Sequence, residues 1–127
     1  MANLRRINQE DLRNHNLSVT LDTLLRAQKP MSRADLAKET GLTKATLSLL
    51  ASMLIESGVV QEGEPVVSTT YGRPSTPLEI RGGSIAGIGL QINTDGYGCL
   101  ALDLNGDTLG REWVSEDMTG TDPYEIF

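Results

Sequence analysis

The chain has 127 residues, 39% of them hydrophobic, which suits one ordinary globular domain or one small domain with part of another. It has no apolar run near the roughly eighteen residues of a membrane span, and Met1 to Glu10 is polar with no signal-peptide core, so a cytoplasmic protein is expected. The single Cys99 excludes an intrachain disulfide and, with only His15 beside it, leaves no zinc cluster; neither a metal nor another cofactor is expected.

The net charge of −6 is unevenly spread. Residues 1–81 hold ten of the eleven Lys and Arg against nine acids, a net +1, whereas residues 82–127 set Arg111 alone against eight acids, a net −7. Only the first part can approach phosphates, and its slight excess permits nucleic-acid binding without requiring it.

In chain order, Asn8 is placed as an N-cap, with Asp11 as the reciprocal acid and Ile7 and Leu12 spaced as a hydrophobic staple. Leu17, Leu21, Leu24 and Leu25 then form one apolar helical stripe, ending near Gln28 before Pro30. The polar Arg13–Asn16 stretch leaves open whether this is one helix or two. Ser32 caps a short helix from Arg33 to Thr40, with Leu36 and Ala37 inward and Gly41 as its left-handed stop. Thr43 caps a helix from Lys44 to Ser57, whose Leu47, Leu50, Ala51, Leu54 and Ile55 share a face before Gly58 ends it.

Val59–Gln61 and Pro77–Ile80 read as two strands joined by a polar connector from Glu62 to Thr76, the outline of a wing. Beyond Arg81–Ser84, three strands are expected at Ile85–Ile92, Gly98–Leu104 and Thr108–Val114, with Asn105-Gly106 as a two-residue type I′ turn. Asp122-Pro123 is placed like a helix start. A three-stranded sheet needs a covering layer, so residues 82–127 read as the opening of a larger domain.

The segment from Ser32 to Leu50 has the form of a helix-turn-helix: short helix, Gly in the turn, longer helix. Small Ala37 permits close helix approach, and Leu36, Leu42 and Leu47 can meet as its core. The free side carries Thr43, Lys44, Ala45, Thr46 and Ser48, suited to a DNA major groove through hydroxyl and ammonium bonds and through methyl contact with thymine. Ser32, Arg33 and Lys38 lie within expected reach of phosphates. Gly72-Arg73-Pro74 in the wing connector forms a narrow strip able to enter a minor groove. A capped helix pair also occurs as a plain packing unit, and a winged helix can serve as a protein-interaction module. Asp103 and Asp107 are read as solvated hairpin-end acids, and no catalytic residue is assigned.

Taken together, His15-Asn16-Leu17, Pro30–Ala37, Gly41–Ser48, Leu54–Val60 and Gly72-Arg73-Pro74 resemble the ROK family of repressors, open reading frames and kinases. The resemblance extends to Gly87–Leu90 and Ala101–Asp107, similar to the first hairpin of the family's sugar-kinase-like domain. It implies an α+β protein: a winged helix-turn-helix DNA-binding domain at 1–81, then the first strands of an actin-like, ribonuclease H-like effector domain at 82–127. It further implies a bacterial repressor of carbohydrate-utilisation genes that binds double-stranded operator DNA as a homodimer or higher homo-oligomer and responds to a sugar or sugar phosphate. The family's sugar cleft, zinc site and oligomer interface would lie beyond Phe127, so a truncated effector domain is expected. Family kinases carry a phosphate-binding turn resembling Asp-x-Gly-Gly-Thr; here Gln91-Ile92-Asn93-Thr94-Asp95 stands in its place, and an enzyme is not expected.

Overall fold

The computed structural model describes residues 6–67 and 74–125. The chain divides into two compact units, Met1–Arg81 and Gly82–Phe127.

The first unit opens with helix α1, Gln9–Ala27. Asn8 accepts from the Asp11 backbone N–H at 2.8 Å while the Asp11 carboxylate accepts from the Asn8 N–H at 3.2 Å, satisfying two donors the helix itself cannot pair. Ile7 and Leu12 both stay exposed, so the expected staple shields little from water. The Arg13–Asn16 stretch lies inside a single helix. Polar residues on a solvated helix face cost only a few tenths of a kcal/mol each (about 0.2–0.7), and the burial of Leu24, with Leu17 and Leu21 packed on the same core, outweighs that cost. Thr20 is buried, and its hydroxyl donates to the Asn16 carbonyl at 2.8 Å. Gln28 closes the helix in the left-handed conformation at φ 52°, two residues before a proline that cannot continue it.

Helix α2, Arg33–Thr40, carries a second capping box between Ser32 and Asp35, and Gly41 at φ 74° ends it. Helix α3, Lys44–Glu56, follows after Leu42 and the cap Thr43. Leu36 of α2 and Leu47 of α3 are both 0% exposed, with Ala37 and Ala51 buried beside them. Two alanines at this contact let the helices approach closely enough for the leucines to interdigitate.

Strand β1, Val60–Glu62, and strand β4, Leu78–Ile80, pair antiparallel, with Val60 opposite Ile80. On the other side of β4, Met31 bridges to Leu78 through bonds of 3.0 and 2.7 Å, tying the α1–α2 link into the sheet. Val60, Leu78 and Met31 complete the helical core. Between them, β2, Val66–Val67, and β3, Pro74–Ser75, form a further antiparallel pair in the connector that the sequence reading left unstructured.

The second unit is an antiparallel meander of β5, Ala86–Asn93, β6, Gly96–Asp103, and β7, Thr108–Ser115, in that spatial order. Asp122 caps a 3₁₀ turn at Pro123–Glu125 through the Tyr124 N–H. Ile88 and Leu90 are exposed on one face, and Leu100 and Trp113 are partly exposed on the other. A Cβ at Gly98 would run into the Trp113 ring and the Glu112 carbonyl; glycine is what lets β7 lay its indole across β6.

The β6–β7 turn differs from the expected type I′ form. Gly106 has φ 84°, but Asn105 does not take positive φ, and the Gly106 N–H bonds the Asp103 carbonyl at 3.0 Å. Asp103 causes the difference. Its carboxylate accepts from the N–H groups of Asn105 at 3.0 Å, Asp107 at 2.9 Å and Gly83 at 3.1 Å, and this local network outcompetes the two-residue turn. The extra length is taken up by a bulge between Ala101 and Leu102. Asp103 is therefore a structural acceptor and not a merely solvated acid, whereas Asp107 is exposed.

The bond from Asp107, followed by those from Gly83, Asn105 and Gly106, holds the Asp103 carboxyl below its ordinary 3.8. A lowered folded value means that these bonds contribute fully above the unfolded pKa, and that the contribution is lost as pH falls through the folded one. The amide resonances of Gly83, Asn105 and Asp107 are expected to titrate together in an NMR pH series with a midpoint below 3.8. Separate midpoints, or one at or above that value, would contradict the shared-acceptor arrangement.

Candidate nucleic-acid interface

The outward face of α3 follows from what its inward face buries. Leu47, Leu50, Ala51 and Leu54 are buried, and a period of 3.6 residues then turns Lys44, Ala45, Ser48, Leu49 and Ser52 to solvent, where all five are exposed. These are the first, second, fifth, sixth and ninth residues of the helix. Among the sequence-derived candidates the structure thus brings Lys44, Ala45 and Ser48 onto one face.

Thr43 and Thr46 are placed differently. The Thr43 hydroxyl accepts from the Thr46 N–H at 3.2 Å and donates to the Thr46 hydroxyl at 2.9 Å, so the two side chains are engaged with each other at the helix start. Thr46 is half-buried. Their first task is to cap α3. Leu49 and Ser52 were missed by the sequence reading, although a signal was present: Leu49 is a leucine that falls off the apolar stripe of its own helix.

The electrostatics at this end are distinctive. Helices α1 and α2 have acids in their first turns, Glu10 and Asp11 in one and Asp35 in the other. The first turn of α3 has no acid and begins with Lys44. Its unpaired backbone N–H groups, the positive end of the helix dipole and the ammonium group all favour an approaching anion.

The phosphate candidates separate into two kinds. Arg33 is held by Glu62 of β1 at 2.8 Å, an ion pair joining the start of α2 to the wing. Lys38 shares an open groove with Arg26 and Lys29 beside the acids Asp35 and Glu39; Arg26 is paired with Asp22 at 2.8 Å. Ser32 is half-buried and caps α2 by accepting from the Asp35 N–H at 3.0 Å. In the wing, Pro74 is exposed and lies opposite Val67, whereas Gly72 and Arg73 lie outside the described residues.

In the second unit, the carbonyls of Thr94 and Asp95 accept from the N–H groups of Met118 and Glu116 at 2.9 and 3.1 Å. This turn therefore directs two carbonyl oxygens at following backbone. Among the described residues no group of three or more His, Cys, Asp or Glu could hold a metal ion, and no helix is long and apolar enough to cross a membrane.

Comparison with known proteins bears on this arrangement. The IclR helix-turn-helix domain family matches residues 20–64, from the second half of α1 past β1. Transcriptional regulators of Mycobacterium bovis and Mycobacterium tuberculosis are each 31% identical to the chain over 86 residues, 67% of this chain and 20% of theirs. The chain thus spans about one fifth of the length of these curated relatives. A crystal structure of a ROK family transcriptional regulator, a homolog of the Escherichia coli MLC protein, superposes with a TM-score of 0.57 at 18% identity, covering 81% of this chain and 26% of that one. The chain has the fold of a ROK regulator over that span, an α+β arrangement of a helix-turn-helix followed by antiparallel strands.

Replacing Thr43 by Ala removes the cap of α3 and is expected to destabilise the first unit by about 1 kcal/mol. The check is denaturant unfolding of the chain followed by helical circular dichroism, since among the described residues all three α-helices lie before Arg81. An unchanged midpoint would show that the Thr43–Thr46 pair does not hold the start of the helix.

Proposed function

We propose that the chain is the N-terminal part of a ROK-family transcriptional regulator, in which residues 1–81 form the operator-binding domain and residues 82–127 open the sugar-kinase-like effector domain. One observation carries the reading: α3 sits in a helix-turn-helix with its apolar face buried, while its exposed face begins with a lysine and no acid. That face suits a major groove, where phosphate attraction positions the protein and short side chains meet base edges.

In this reading Lys44, Ala45 and Ser48 face the major groove, and Thr43 and Thr46 set the start of the helix. Lys38 and Ser32 lie toward the DNA backbone. Arg33 braces the wing through Glu62 and reaches a phosphate only if that pair opens. Gly72, Arg73 and Pro74 form the wing strip that enters the minor groove. The full regulator would be a cytoplasmic homo-oligomer without enzymatic activity, repressing carbohydrate-utilisation genes and releasing DNA in response to a sugar or sugar phosphate. The mycobacterial transcriptional regulators and the ROK fold support this assignment.

The test is a fluorescence-anisotropy titration with duplex DNA from the region upstream of its own gene against a shuffled control, at two salt concentrations. Tighter binding to the upstream duplex, weakened by salt, is the expected result; equal and negligible binding to both would favour a protein-interaction module.

Two variants refine it. Lys44→Ala is expected to weaken binding and to lower the salt slope by about one, the loss of one phosphate contact. Glu62→Gln, which releases Arg33 and removes an acid, is expected to strengthen binding and steepen the slope by about one. If Glu62→Gln instead weakens binding, the ion pair positions the wing more than it withholds a cation.

A further inference from the structure

We propose that Leu49, together with Ala45, forms a methyl-reading patch on α3 that selects thymine 5-methyl groups in the major groove; the proposal rests on the DNA-binding reading above and names a specificity determinant within it. Leu49 is 62% exposed and lies one helical turn after Ala45, so the two side chains are neighbours on the solvent face. A single exposed leucine needs no special account. This one stands at the sixth position of a helix whose exposed first, second, fifth, sixth and ninth residues are its groove-facing set.

The composition of that set narrows what it can read. Bidentate recognition of guanine uses Arg or Lys, that of adenine uses Asn or Gln, and cytosine is read by a carboxylate. Lys44, Ala45, Ser48, Leu49 and Ser52 include no Arg, Asn, Gln, Asp or Glu; the exposed acid of α3, Glu56, is its last residue, at the end opposite Lys44. Lys44 lies at the first helical position, beside the unpaired N–H groups, where a phosphate is the nearer partner. Ser48 and Ser52 can each make single hydrogen bonds to any base edge. The Ser52 hydroxyl already donates to the Ser48 carbonyl at 3.0 Å, which leaves it as an acceptor. The remaining discriminating chemistry on this face is apolar, and the thymine methyl is the apolar group that the major groove displays. Leu49 reaches farther than Ala45 and is the larger part of the patch.

The experiment uses the whole chain and duplexes it selects from a random-sequence pool. Each thymine of the selected site is replaced in turn by deoxyuridine, which lacks the 5-methyl group and keeps every hydrogen-bonding atom. Affinities are measured for the unaltered chain, for Leu49→Ala and for Lys44→Ala. The expected result is an about fourfold loss at one or two deoxyuridine positions, the factor for withdrawing one methyl-sized group from an apolar contact. At one of those positions at least, the one Leu49 reads, the loss should be absent in Leu49→Ala and retained in Lys44→Ala. Leu49 is a surface residue, so its truncation leaves the helical core intact, and retained helical circular dichroism verifies this. If duplexes are selected but deoxyuridine changes affinity at no position, or changes it equally in Leu49→Ala at every position, the methyl-reading patch is overturned while DNA binding stands. If no duplex is enriched over the starting pool, the DNA-binding reading fails and the patch with it.

Discussion

The burial of Leu36 and Leu47 in one core across the Gly41 turn is the constraint on which the first unit depends. Both leucines are fully excluded from solvent, and burying a leucine is worth about 1.5–3 kcal/mol. That burial requires small neighbours, supplied by Ala37 and Ala51, and a turn that reverses the chain in a left-handed residue, supplied by Gly41. Once those positions are fixed, the rotation of α3 about its own axis is fixed as well. The surface it offers is then decided by subtraction: the residues that are not core become the candidate interface. A larger side chain at Ala51 would push the helices apart and shift that surface, so the candidate site is sensitive to core residues that never reach solvent.

The wing is attached to this core through Val60 of β1 and Leu78 of β4. Leu78 is buried among the helices and exchanges two backbone bonds with Met31, while its neighbours in β4 pair with β1. Since Met31 lies between α1 and α2, β4 is stitched to the helix-turn-helix by main-chain bonds that do not depend on side-chain identity. The Arg33–Glu62 pair adds a second tie from α2 to β1. It is partly exposed and contributes little to stability, but it places the wing base relative to the start of α2 and occupies a cation that would otherwise be available to an anion.

Much of this architecture was legible in the sequence because it is locally encoded. The caps at Asn8, Ser32 and Thr43, the stop at Gly41 and the leucine stripes each use interactions within a few residues, and each formed. The failures fall where one side chain could bond in more than one way, or where burial decides. Asp103 gathers N–H groups from Asn105 and Asp107 beside it and from Gly83 twenty residues away in sequence, so a rule for Asn-Gly alone, blind to the acid before it, does not foresee the turn it imposes. The staple at Ile7 and Leu12 had the right spacing but no third surface to cover it. Val66–Val67 is too short and too exposed to show a strand pattern. On α3, reading from Thr43 to Ser48 captured the start of the helix but not its outward face, because a face repeats over two turns and includes Leu49 and Ser52.

Charge and shape make unequal contributions to the proposed interface. Residues 1–81 carry a net charge of only +1, and Arg26 and Arg33 are spent on Asp22 and Glu62. A domain with so small an excess of positive charge gains little from counterion release, the term that dominates sequence-independent binding. Discrimination between sequences can nevertheless be high under these conditions, because specificity is a difference of affinities and a weak uniform attraction lowers both members of that difference together. On the proposed reading, a helix face with one lysine, two serines, an alanine and an exposed leucine suits a protein that binds single sites weakly and relies on base contacts for selection. On the same reading, affinity would rise if two such domains were joined, since linked sites raise the effective concentration of the second contact without any change to the first.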